Sequence, residues 1–151
     1  VRAYSYALKL LTKKDYSEHR LREKLHQKGF SAEDVQLSLE KLKAQKFLND
    51  DRFKEFFVRK WIRKGYGDYY IIHKGRQESL SISKNDIAQQ RKELILPEET
   101  VMQKLAQKKQ SLKDSPEKVK RRILSLLDRR GFGSKSFEYQ VEILPPQEPA
   151  E

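Results

Sequence analysis

Residues 53–67 read FKEFFVRKWIRKGYG. Phe53, Phe56, Phe57 and Trp61 recur at i, i+3, i+4 and i+8, so they share one face of a helix. Arg59, Lys60, Arg63 and Lys64 crowd the remainder of the stretch, and Gly65 and Gly67 stop the helix around Tyr66. The spacing predicts an aromatic face to be buried, with Trp61 continuing it into the core. It predicts a basic face, on the other side, for something anionic.

The same pattern appears before this stretch. Ala3, Ala7, Leu10 and Leu11 mark a first helix over 2–14, ended by Asp15, Tyr16 and Ser17. Ser17 is a fair N-cap for a second helix over 18–28, which carries Leu21 and Leu25. Gly29 ends it, since glycine accepts the left-handed backbone of a helix end. Ser31 caps a third helix, with Asp34 three residues on and Phe30 and Val35 as a hydrophobic staple. Val35, Leu39 and Leu42 form its stripe.

The pattern then repeats. Asn49 or Asp50 caps the helix of residues 53–64, and Tyr66-Gly67 stands 50 positions after Tyr16-Ser17. A short helix over 68–79 follows. Ser83, Asp86, Ile82 and Ile87 repeat Ser31, Asp34, Phe30 and Val35 at an offset of 52. In a third round, Pro97 suits the first position of a helix running to about 111, and Ser115-Pro116 opens another. Gly131-Phe132-Gly133 stands 102 positions after Gly29-Phe30-Ser31, and Phe137, Val141 and Leu144 repeat Val35, Leu39 and Leu42. The expected fold is all-α: three tandem three-helix bundle repeats, 1–48, 49–96 and 97–144, in an elongated, curved array. The tail, 145–151 (PPQEPAE), is expected to be disordered.

Among the 151 residues 36% are charged and 36% hydrophobic, and the formal net charge is +11. The excess runs along the chain, at +5, +4 and +2 in the three repeats with the tail counted in the last. An extended positive surface fits a polyanion or an acidic protein partner, although a basic pI also serves solubility. There are no cysteines, which excludes disulfides, thiol catalysis and zinc ribbons and suits a reducing cytoplasm. No apolar run approaches the ~18–20 residues of a membrane span, so no membrane association is expected. The chain opens at Val1 without a visible signal peptide, which leaves room for a short upstream segment.

No catalytic set can be assembled: there is no phosphate loop, no HExxH and no GxSxG. His19 and His26 lie seven residues apart, about 10 Å along a helix, and with His73 read as surface histidines and not metal ligands. Asp50 and Asp51 read as helix-start carboxylates. The strongest binding signal is 59–76, with Arg59, Lys60, Arg63, Lys64, Lys74 and Arg76 interleaved with Trp61, Tyr66, Tyr69 and Tyr70. Cations neutralise phosphates and aromatic rings stack on unpaired bases. A second run, KVKRRILSLLDRR, adds Arg121, Arg122, Arg129 and Arg130, for which a solvated helix face competes with a contact site.

Five motifs in order resemble the bacterial RecX regulatory proteins: the alanine–leucine helix of residues 3–11, the DYS turn at 15–17, LREKLHQKGF at 21–30, FLNDDRF at 47–53 and RKGYG at 63–67. The match degrades at HKGRQESLSIS, where Gly75 lies in the helix and Ser79 or Ser81 at a turn that in the family carries Lys-Gly. The resemblance implies a non-enzymatic, cofactor-free regulator of the RecA recombinase, acting in the cytoplasm. It would bind the RecA filament groove and inhibit the recombinase by blocking filament growth or promoting disassembly. It also implies binding to single- and double-stranded DNA; the expected state is a monomer. A rival expectation is a helical DNA- or RNA-binding protein that needs no protein partner.

Overall fold

The computed structural model describes residues 2–110 and 113–133. They form eight α-helices: α1 (Arg2–Lys13), α2 (Glu18–Gln27), α3 (Ala32–Ala44), α4 (Asp50–Arg63), α5 (Asp68–Gln77), α6 (Lys84–Leu94), α7 (Glu98–Lys109) and α8 (Pro116–Arg129). No strand occurs among the described residues, and the fold is all-α. The expected last helix of the third repeat, with Phe137, Val141 and Leu144, and the tail lie outside the described residues. By contacts the chain divides into two compact units. One is Val1–Phe57 with Arg76–Leu80; the other is Val58–Gly75 with Ser81–Glu151.

In the first unit α1, α2 and α3 enclose one core. Ala7, Leu21, Leu25, Val35, Leu39, Leu42 and Leu48 are buried together, flanked by Tyr4, Tyr6, Leu10, Leu11 and Phe30. These are the apolar positions that the 3.6-residue period places on facing sides. Ser17 caps α2 by accepting from the Arg20 amide at 3.2 Å. The Asp50 carboxylate accepts from the Glu18 amide at 2.8 Å, so it serves the start of α2. Asn49 is the side chain that caps α4, accepting from the Arg52 amide at 3.1 Å. Arg20 reaches Glu78 with Nε and Nη2, at 3.1 Å for the ion pair.

In the second unit Val101, Met102, Leu105, Ala106, Val119, Ile123, Leu127 and Phe132 form a core around α7 and α8. Ser83 and Asp86 make a reciprocal capping box at α6, and Ser115 caps α8 with Pro116 following. Pro97 takes the cap position of α7 and not its first turn. Helix α7 ends at Lys109, short of the expected 111. Helix α5 has a glycine, Gly67, where a capping side chain would stand. Its orphan amides are met by backbone: Gly67 N–H donates to the Arg130 carbonyl at 2.6 Å and Tyr69 N–H to the Gly131 carbonyl at 3.0 Å. The carboxyl end of α8 thus caps the amino end of α5.

One expectation is overturned on α4. The buried residues are Val58 and Ile62, whereas Phe56 is 54% exposed and Phe53, Phe57 and Trp61 are half-buried. Val58 and Ile62 each follow an aromatic by one residue, about 100° round the helix. The aliphatic pair faces the interior, and the aromatic stripe that dominates the sequence lies at its border.

Candidate nucleic-acid interface

The aromatics of residues 61–70 form a cluster in the second unit. Tyr66 and Tyr70 stack with centroids 3.9 Å apart and planes at 27°. Trp61 meets Tyr66 edge-on at 5.1 Å and Tyr70 at 5.3 Å. The αL turn at Gly65 and the backbone cap at Gly67 fold Tyr66 back onto α5, where Tyr70 lies four residues on. Partial burial, and next the proximity of Tyr66, push the Tyr70 phenol above its usual range, so it remains neutral near pH 7.

Cations surround the rings. The ammonium groups of Lys60, Lys64 and Lys74 lie 5.1, 5.0 and 5.8 Å from the Trp61 ring centroid. Lys74 is also 5.8 Å from Tyr70. The Arg130 guanidinium covers Tyr66 at 4.5 Å and donates through Nη1 to the Lys64 carbonyl at 2.9 Å. Each cation–π contact stabilises by ~0.5–1 kcal/mol at an exposed site. The rings therefore organise the lysines. Basic and aromatic residues share one surface, contrary to the expected opposition of two faces. At about 100° per residue, Lys64 projects within ~60° of Trp61, three positions before it. Trp61, expected in the core, sits half-buried beneath these ammonium groups.

The remaining candidates divide. Arg63 is exposed at the end of α4. Arg59 turns inward, donating Nε to the side-chain Oε1 of buried Gln90 and pairing through Nη2 with Glu93 at 2.6 Å. Arg76 is exposed and belongs to the first unit. Arg121, Arg122 and Arg129 line a cleft of about 400 Å³ with Lys109, Lys118 and Ser125. Arg130, adjacent in sequence, is turned to Tyr66 instead. Lys109 was not legible as a site residue, because its neighbours in the cleft follow it by nine residues or more.

Arg91 is a charged residue that the sequence reading passed over. It is 7% exposed, donates Nη2 to the Tyr66 carbonyl at 2.9 Å and lies 3.8 Å from Asp68. Burial lowers its pKa, while Glu98 and Asp68 oppose that shift. Burial also raises the carboxyls of Asp68 and Glu98. Arg91 thus secures the turn that presents Tyr66. Among the described residues no group of three His, Cys, Asp or Glu side chains is arranged to hold a metal ion. No helix among them is long and apolar enough to cross a membrane.

Residues 3–42 match the family model for the first three-helix domain of RecX. The chain is 30% identical over 147 residues to the regulatory protein RecX of Syntrophotalea carbinolica, covering 93% of this chain and 95% of that protein. The chain belongs to the RecX family of regulatory proteins. RecX crystal structures have the same fold. One, described as regulatory protein RecX, superposes with a TM-score of 0.77 at 23% identity, over 93% of this chain and 72% of that one. RecX from Lactobacillus salivarius gives 0.76 at 18% identity, over 93% of both chains.

Proposed function

We propose that this RecX-family chain regulates the RecA recombinase by lying in the groove of its filament on DNA. The observation that carries the reading is the Trp61–Tyr66–Tyr70 cluster with Lys60, Lys64 and Lys74 arrayed on it. Flexible lysines lose side-chain freedom when they bind phosphate. Rings that already hold the ammonium groups reduce that loss. The chain acts as a monomer of three helical repeats, with residues 97–144 as the third. Occupancy accounts for inhibition. A protein seated across neighbouring protomers favours one filament arrangement and opposes the rearrangements of the ATP cycle. This needs no bond-making, and no catalytic set was found in the sequence.

The test is DNA-dependent ATP hydrolysis by RecA on single-stranded DNA with this protein titrated in, beside binding to the same DNA without RecA. Inhibition well below the concentration that coats bare DNA supports the filament as target. Inhibition only at DNA saturation replaces this reading with direct competition for DNA.

A further inference from the structure

A concavity of about 460 Å³ lies where α6 gives way to α7, and α5 contributes Asp68 to it. Arg91 lines it from α6, and Glu98 and Glu99 line it from the first turn of α7. Exposed Lys92 lines it as well. Arg91 is 7% exposed, and its Nη2 donates to the Tyr66 carbonyl. Its Nε and Nη1 find no hydrogen-bond partner. Buried donors left unpaired are costly and call for an acceptor. Helix α7 opens on Pro97 with no side-chain cap, so its first amides call for one too. Beside these donors stand acids. Burial, and next the charge of Asp68, raise the Glu98 carboxyl, so this end of the concavity favours a cation. Ile95 forms part of the wall, 86% exposed and left-handed at φ 53°. Backbone strain of that kind clusters at functional sites.

We propose that this concavity binds a basic segment of a partner protein, a lysine or arginine next to an apolar residue. The proposal goes beyond the filament reading and does not depend on it. Each part of such a segment answers one feature of the site. A main-chain carbonyl accepts from Arg91 and from the first turn of α7. The cationic side chain pairs with Glu98 and Glu99 and offsets their crowding against Asp68. The neighbouring apolar side chain covers Ile95 and Pro97. A simple cation would leave the Arg91 donors unpaired, and an anion would meet the carboxylates of Asp68, Glu98 and Glu99. A ligand that carries an acceptor and a cation together satisfies both sets, and a polypeptide carries both within one residue. The complementarity is local: the whole chain bears +11, so attraction of a cation has to come from this surface.

The test titrates the full chain into a labelled peptide of alternating leucine and lysine, and into its counterpart with glutamine for lysine. Binding is followed by fluorescence anisotropy, with circular dichroism checking helix content. The wild type should prefer the lysine peptide by about tenfold, from two ion pairs at about threefold each. Glu98→Gln with Glu99→Gln keeps the shape of the wall and removes its charge, and the preference should disappear. Ile95→Asn should weaken binding of both peptides about fivefold through the lost apolar contact. This variant should unfold no earlier than the wild type, so weaker binding by it reports contact and not folding. Equal affinity of the wild type for the two peptides overturns the proposal. So does a preference that survives the paired glutamine substitution, or a folded wild type that does not bind the lysine peptide.

Discussion

The backbone of Gly67 is pressed against that of Gly131, so that a β-carbon on Gly67 would lie 2.6 Å from the Gly131 carbonyl oxygen. The contact completes the amino terminus of α5 with carbonyls from the end of α8. It also explains the second glycine of the KGYG turn, where the corresponding position before α2 is Ser17. A side chain there would separate two backbones that cap each other.

Glycine replacements should therefore rank by contact and not only by φ. Gly29 and Gly131 are both left-handed, at φ 97° and 86°. Nothing lies within 4 Å of a β-carbon at Gly29, whereas one at Gly131 would run into the backbone of Tyr70. Gly29→Ala should cost about 1–2 kcal/mol from strain alone. Gly131→Ala adds overpacking and should cost roughly 3 kcal/mol. Urea unfolding of the two variants checks the order, and equal costs would refute the backbone contact.

Ile95 offers a gain. It ends α6 in the left-handed region at φ 53°, a conformation that β-branched residues rarely take, and it is 86% exposed. Ile95→Asn sacrifices little burial and relieves the strain. It should raise stability by about 1 kcal/mol. A variant no more stable than wild type by thermal or urea unfolding would show that the αL strain is not stored there.

Arg59 and the three lysines should separate in their effects. Arg59→Ala strips the side-chain Oε1 of buried Gln90 of its Arg59 donor and should cost roughly 1–3 kcal/mol of stability, with inhibition of RecA retained where the variant is folded. Lys60, Lys64 and Lys74 replaced together by Ala should cost roughly 1.5–3 kcal/mol of stability through their lost cation–π contacts and weaken inhibition by the folded variant. Trp61 is the sole tryptophan, so its emission reports directly on this surface. Adding filament should change Trp61 emission in the wild type and not in the triple variant. An unchanged wild-type signal would move the interface elsewhere.

Stability should also respond to pH through Asp68 and Glu98. Burial raises both carboxyls in the folded state, above their ordinary values of 3.8 and 4.5. Between the ordinary and the raised values the folded chain holds more protons than the unfolded one. These two groups therefore lower stability as pH rises through that window. Asp68→Asn with Glu98→Gln removes the penalty. The melting temperature of this variant relative to wild type should increase from pH 4 to pH 7, and a difference that shrinks with pH would contradict the assignment.

Much of the fold could be read locally. Ser31, Ser83 and Ser115 are caps in the structure as in the sequence, since an N-cap needs only residues within one turn. The stripes Leu21–Leu25, Val35–Leu42 and Val119–Leu127 are buried because helical periodicity is itself local. The candidate surface was legible only in outline. Its composition announced cations and rings, but the inward turn of Arg59 and the placement of Arg130 on Tyr66 depend on residues 31 and 64 positions away. The α4 aromatic stripe misled for a related reason: periodicity identifies a face but not what lies opposite it.

The sequence by itself determined that this chain is all-helical, where most helices start and stop, and that it belongs with RecX proteins. Those properties rest on neighbours along the chain and on ordered motifs. Tertiary structure alone decided that Val58 and Ile62 are the buried side of α4. It also decided that α8 caps α5 through Gly131, that Arg91 supports the Tyr66 turn, and which cations gather on rings or in a cleft. Each depends on packing between helices distant in sequence, and packing energy depends on shape and position in space, which residue spacing does not encode.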